Sequence, residues 1–249
     1  MHVTLAEPKL LVDSIGIISE LVNEVLFKVD KDKIELVAMD PANVAMVIFK
    51  ILSSAFTEYT VEKPVELAIS LDSLKSVLRR SKPSDMLSMT LDNEKNRLKI
   101  TLKSESTRTF NLSLIDVDEK EQKVPELTFP LRIETSSVIF DEAIQDMDVV
   151  ADSVGFLVKD NKFTVEAESN LSDARTDIGS DEETVVKSTG SDAIRSKYSI
   201  EYLKKITKGS KLSPKVILQF NKDYPLRVDY ISKDKLSFSI ILAPRVSND

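Results

Sequence analysis

Two twelve-residue stretches decide how this chain folds: Leu71-Asp-Ser-Leu-Lys-Ser-Val-Leu-Arg-Arg-Ser-Lys82 and Ile200-Glu-Tyr-Leu-Lys-Lys-Ile-Thr-Lys-Gly-Ser-Lys211. Shifted by 129 positions, Leu74, Lys75, Ser81 and Lys82 fall on Leu203, Lys204, Ser210 and Lys211. The same shift carries Phe27, Val29, Lys33 and Ala38 onto Phe156, Val158, Lys162 and Ala167, and Ile15 and Val25 onto Ile144 and Val154. One constant offset over most of a domain's length means that the chain contains two similar halves.

The periodicity changes in the same order within each half. Leu11, Ile15, Ile18 and Val22 recur at helical spacing, as do Phe140, Ile144, Met147 and Ala151. Phe27–Val29 and Ile34–Ala38 flank Asp30-Lys-Asp-Lys33 as a hairpin. The two opening stretches predict amphipathic helices over Leu71–Arg80 and Ile200–Lys208, with Leu71, Leu74 and Leu78, and Ile200, Leu203 and Ile206, as their apolar stripes. Strands follow at Leu87–Leu91, Leu98–Leu102 and Phe110–Leu114, and again at Val216–Phe220, Leu226–Ile231 and Leu236–Leu242. The expected architecture is α+β: two similar domains, each with two helices packed on antiparallel sheet. Domain boundaries are expected at 1–116 and 126–249, with the charged, Pro-terminated segment 117–125 as connector. Residues 172–196, rich in Ser, Thr, Asp and Gly, read as an exposed edge strand with a long acidic loop.

Composition removes much chemistry. Among 249 residues there is no Cys, and the one His is His2, so thiolate zinc sites, cysteine nucleophiles and Ser–His triads are excluded. The five glycines never cluster, which excludes Walker-type and dinucleotide loops. Neither a signal peptide nor a membrane-spanning run is visible, so a soluble intracellular protein with no membrane partner is expected. Acidic pairs at Asp141/Glu142 and Asp181/Glu182/Glu183 are the candidates for an enzyme, and nothing in the pattern places them in a cleft.

Net charge is −7, yet the second helix of each half carries cations at i, i+4 and i+7: Lys75, Arg79 and Lys82, and Lys204, Lys208 and Lys211. Arg80 and Lys205 add to the two clusters. Repeated positive tracks on an acidic chain suit a polyanion held through its phosphates without sequence readout.

Six short motifs carry a resemblance that spans essentially the whole chain. They are Met39-Asp-Pro-Ala-Asn-Val-Ala-Met-Val47, Leu114-Ile-Asp-Val117, Asp152-Ser-Val154, Tyr198-Ser-Ile-Glu-Tyr-Leu203, Pro225-Leu226 and Leu242-Ala-Pro-Arg-Val246. In this order and spacing the chain resembles the proliferating cell nuclear antigen (PCNA) family of DNA sliding clamps, the archaeal type in particular. The resemblance implies a ring-forming fold: a trimer of this chain or of paralogues encircling double-stranded DNA without sequence preference, as a processivity factor in DNA replication and repair. It implies no catalysis, no cofactor and no metal. The cations Lys75, Arg79, Arg80, Lys82, Lys204, Lys205, Lys208 and Lys211 would face the DNA, where linkage of the closed ring permits weak contacts.

By the same resemblance, a clamp loader, DNA polymerase, flap endonuclease and ligase are the implied partners, the last three through short docking peptides. Their pocket would draw on Met39, Val44, Met46, Val124, Pro225, Ile241, Ala243 and Pro244, with Ile241 standing where family members often have Tyr. Subunits would join through two edge strands, about Ser106–Ser113 (Arg108, Phe110, Leu112) and about Leu171–Ile178 (Leu171, Asp173, Arg175). The implied location is the cytoplasm, on the nucleoid, for an archaeal source and the nucleus for a eukaryotic one. One departure is the stretch 133–158, which has no Lys or Arg against six acids, where family members usually place some basic residues. Its acids read either as a solvated face or as a contact to Arg80, Lys82 or Arg108 of a neighbouring subunit. A non-clamp interaction adaptor is the remaining alternative.

Overall fold

The computed structural model describes residues 1–116, 122–179, 183–190 and 193–245. The first half of the chain runs β1 (His2–Leu5), α1 (Lys9–Ile18), β2 (Glu24–Val29), β3 (Lys33–Met39), β4 (Ala45–Leu52), β5 (Glu58–Thr60), β6 (Val65–Ser70), α2 (Leu71–Leu78), β7 (Met86–Asp92), β8 (Arg97–Lys103) and β9 (Thr107–Ser113). The second runs β10 (Leu131–Ser136), α3 (Ser137–Asp148), β11 (Ser153–Lys159), β12 (Lys162–Glu168), β13 (Asp173–Ile178), β14 (Val185–Ser188), β15 (Ile194–Ser199), α4 (Ile200–Ile206), β16 (Lys215–Gln219), β17 (Leu226–Ser232) and β18 (Leu236–Leu242).

The element order is the same in both halves, and so is the strand order. In the first half the strands are ordered β5-β1-β7-β8-β9 and β4-β3-β2-β6; in the second, β14-β10-β16-β17-β18 and β13-β12-β11-β15. The paired registers are antiparallel, for example Gly155 opposite Glu166 and Phe27 opposite Leu67. The chain is α+β, as the patterning predicts. It packs as two compact units: Met1–Pro41, Val47–Val124 and Ser232–Phe238 form one, and Ala42–Met46, Pro125–Ile231 and Ser239–Asp249 the other.

Local chemistry accounts for the punctuation. Asp160 and Asn161 both adopt positive φ, 53° and 58°, closing the β11–β12 hairpin on the two-residue turn that matches strand twist. The equivalent β2–β3 turn instead uses the Asp30 carboxylate, which accepts from the Asp32 and Lys33 N–H groups at 2.8 and 3.0 Å. Alternation sets the sheet faces: β3 buries Ile34, Leu36 and Ala38 while intervening residues stay half-exposed.

The two cores are filled differently at equivalent positions. In the second half Phe156 sits within 6.0 Å, ring centre to ring centre, of Phe140, Phe163, Tyr198 and Phe220. Subtracting 129 gives Phe27, Leu11, Ile34, Ile69 and Leu91, four of them aliphatic. The fold therefore tolerates either filling as long as the volume is matched by its neighbours.

Three expectations need correction. Helix α2 ends at Leu78, short of Arg80, and α4 ends at Ile206 before a 3-10 turn over Thr207–Lys211. After Leu78 the N–H groups of Arg80 and Ser81 donate to carbonyls three residues back, so the last turn tightens, and Pro83 then bars helical geometry at Lys82. The apolar stripes of the first helices also overrun, since Val22 and Ala151 lie beyond α1 and α3. Among the described residues, 172–196 hold β14 and the start of β15 in addition to the expected edge strand, β13, where a loop was expected. Leu171 lies before β13 and is 97 % exposed.

Candidate functional site

The first positive track lies at the C-terminal end of α2. Ser70 caps the helix by accepting from the Ser73 N–H, Asp72 sits in the first turn and Lys75 in the last, each at the end where its charge suits the helix dipole. Leu71, Leu74, Val77 and Leu78 are buried, which leaves Lys75 half-exposed and Arg79, Arg80 and Lys82 exposed. Among the described residues no ion pair involves these four cations.

A part-buried ion pair holds the turn that carries Arg80 and Lys82. The Asp85 carboxylate, fully buried, accepts from the Lys82 N–H at 2.6 Å and from the Arg108 guanidinium on β9, while Arg108 Nη1 donates to the Arg80 carbonyl at 2.8 Å. The Lys82 N–H, seconded by Ser104 and Arg108, holds the Asp85 carboxyl down to about 2 against the opposing effect of burial. A folded-state pKa below the ordinary 3.8 means that this stabilisation is complete above about pH 4 and is lost as pH falls towards 2. Thermal melts between pH 5 and 2 should show a falling midpoint, and Asp85→Asn should start from a lower midpoint and fall less steeply. A parallel fall in both chains would remove Asp85 from the acid response.

Sequence reasoning missed this pair, and it changes the reading of Arg108. The side chain expected to reach a neighbouring chain is engaged within its own unit. The other edge-strand residues are placed more openly. Phe110 and Leu112 are half-buried on β9, and Asp173 and Arg175 are exposed on β13. Among the described residues β9 pairs with β8 and β13 with β12, so each terminates its strand order. On β13, Asp177 accepts from Lys162, Thr164 and Arg175; these bonds, the Thr164 hydroxyl's first, hold its carboxyl far below the ordinary carboxylate range.

The second track is differently dressed. Lys204 Nζ lies 2.6 Å from the Asp148 carboxylate at the end of α3, and Lys205 lies 3.1 Å from Glu201 and over the Tyr202 ring. Lys208 is half-exposed and Lys211 exposed, both on the 3-10 turn. Gly209 lies between them because only glycine fits: a Cβ there would sit 2.3 Å from Cε2 of the fully buried Tyr230. The acids of 133–158 are thus partly spent internally, Asp148 on Lys204 and Asp152 on Arg245 at 3.2 Å. Of the acidic pairs considered for catalysis, Asp141 accepts from Gln145 on the surface of α3, and Asp181 and Glu182 lie outside the described residues. Among the described residues no group of three or more His, Asp or Glu could hold a metal, and no helix is long and apolar enough to cross a membrane.

The expected pocket residues fall in both units. Met39 and Val124 belong to the first, and Val124 is 41 % exposed. Val44, Met46, Pro225, Ile241, Ala243 and Pro244 belong to the second. Met46 and Ile241 are strand residues buried in the core, while Val44, Pro225, Ala243 and Pro244 are half-buried. The segment after β18 is stitched down: the Ala243 N–H donates to the Val44 carbonyl at 2.9 Å and the Arg245 N–H to the Lys197 carbonyl at 2.7 Å. Val246 lies outside the described residues.

Comparison with known proteins agrees across both halves. Residues 1–122 match the family model of the proliferating cell nuclear antigen N-terminal domain, and residues 123–245 that of its C-terminal domain. The DNA polymerase sliding clamp of Nanoarchaeum equitans is 34 % identical over 98 % of this chain and 99 % of its own length. That of Thermococcus gammatolerans is 34 % identical over 94 % of each chain. The solved structure of PCNA from Thermococcus kodakaraensis superposes with a TM-score of 0.91 at 25 % identity, covering 98 % of this chain and 99 % of that one. With both domain models matched end to end, this chain belongs to the proliferating cell nuclear antigen family.

Proposed function

We propose that this chain is a DNA sliding clamp, a non-catalytic ring subunit that keeps DNA polymerase on its template. The observation that carries the reading is the duplicated fold with cations at the ends of equivalent helices, α2 and α4, on a chain whose net charge is −7. A closed ring is retained by topology, so its inner surface needs only weak contacts to phosphate, and a few exposed Lys and Arg per subunit supply them. Lys75, Arg79, Arg80, Lys82, Lys204, Lys205, Lys208 and Lys211 take that role in this reading.

Domains 1–116 and 126–249, joined by 117–125, would assemble head to tail through β9 of one subunit and β13 of the next. Pairing two terminal strands satisfies their outward N–H and C=O groups and removes edges that otherwise invite aggregation. Such a heterologous contact closes only at a fixed rotation per subunit, and three copies give six similar domains. Docking peptides of DNA polymerase, flap endonuclease and ligase, and a clamp loader, complete the set of partners, at the cytoplasmic nucleoid of an archaeal cell. The test is native mass by sedimentation: about three times 27.9 kDa is expected for the purified chain. A monomer that also fails to assemble with paralogous chains would overturn the ring.

A further inference from the structure

Resting on the duplex-facing reading of α2 and α4, we infer that Asp148 is a built-in rival for phosphate that weakens the second unit's hold on DNA. The two halves are equivalent in cations but not in what surrounds them. Residues 71–82 and 200–211 each carry four cations and one acid. The neighbouring helices differ: α1 has Lys9 and Asp13, bonded to each other, whereas α3 has four acids and no cation. Helix α1 packs beside α2, and α3 beside α4.

The difference is sharpest at one position. Asp148 ends α3 and holds Lys204 Nζ at 2.6 Å. The residue 129 positions earlier is Ser19, whose hydroxyl donates to its own helix at the Gly16 carbonyl, 2.8 Å away. Among the described residues Lys75, the equivalent of Lys204, has no ion-paired carboxylate. Lys204 and Asp148 side chains are 48 % and 39 % exposed, so the pair opens readily and contributes little to folding. It does act on binding. A lysine that reaches a phosphate normally releases a condensed cation from DNA, but Lys204 must first leave a carboxylate, and the phosphate replaces one anion with another. The Asp148 charge left behind then faces the DNA. Lys204 accordingly adds less affinity and less salt dependence than Lys75, and the first unit supplies most of the grip.

Binding of the full-length chain to a short labelled duplex, by fluorescence anisotropy over a salt series, tests this. Asp148→Ser, which copies the first half, should tighten binding about eightfold at 0.1 M salt for each lysine–phosphate pair formed, and steepen the log K against log salt slope by about 0.9. Lys204→Ala placed in the Asp148→Ser chain should cancel the gain. Ser19→Asp should weaken binding and flatten the slope, with the melting temperature of every variant near that of the native chain. If Asp148→Ser left affinity and slope unchanged while Lys75→Ala flattened the slope by about 0.9, the rivalry would be disproved and the duplex-facing surface kept. If Lys75→Ala also changed nothing, the duplex-facing reading itself would fall.

Discussion

Gly209→Ala should unfold or grossly loosen the second unit, with a stability loss of about 3 kcal/mol or more. The added Cβ would lie 2.3, 2.4 and 2.6 Å from three carbons of the Tyr230 ring, well inside contact distance. The ring has nowhere to retreat, because Tyr230 is fully buried on β17. Strain must therefore go into the 3-10 turn Thr207–Lys211, which carries two of the four cations of the second positive track, Lys208 and Lys211. Denaturant unfolding of the native and variant chains measures the effect. At Gly16, where nothing lies within 4 Å of an added Cβ, the same substitution is the control and should be tolerated. A Gly209→Ala chain as stable as the Gly16→Ala chain would show that Tyr230 is not packed against the turn.

Ala243→Arg should abolish binding of docking peptides while leaving the native mass unchanged. Ala243 is half-buried, and its N–H is fixed to the Val44 carbonyl at 2.9 Å, so the position cannot swing aside to place a long side chain elsewhere. Arg245, two residues on, is held by the Lys197 carbonyl and the Asp152 carboxylate. In the proposed docking site, an arginine on this lip would set a charge where a peptide's apolar anchor would lose water. Central anchors at such interfaces are worth about 2 kcal/mol or more, so affinity should fall at least about thirtyfold. Calorimetry with a synthetic docking peptide reads this directly, and undiminished affinity would move the docking site away from Ala243.

How far sequence reached depended on whether a feature repeats or alternates. The strands with period-two burial, such as β3 and β8, were readable because each turn of the pleat writes one apolar residue. The helix ends were not, because Arg79, Arg80 and Lys82 continue the charge spacing past Leu78; Pro83 was the available signal. Strand β13, Asp173-Ala-Arg-Thr-Asp-Ile178, was legible as an edge strand, whereas β14, Val185-Val-Lys-Ser188, is too short for its alternation to stand out from the polar stretch around it. Of the candidate site, the positive tracks were visible as repeated spacing. The Asp85–Arg108 and Asp148–Lys204 pairs were invisible, since they join residues 23 and 56 positions apart that only folding brings together. Burial of Met46 and Ile241 was equally hidden: a buried strand and an apolar groove are written in the same letters.

The aromatic filling of the second core has an optical consequence. The chain has no Trp, and four of its five Tyr (Tyr198, Tyr202, Tyr224 and Tyr230) lie in the second half, two of them fully enclosed. Tyrosine fluorescence and the tyrosine bands of near-ultraviolet dichroism will therefore watch one half of the molecule melt and leave Tyr59 as the sole tyrosine reporter of the other.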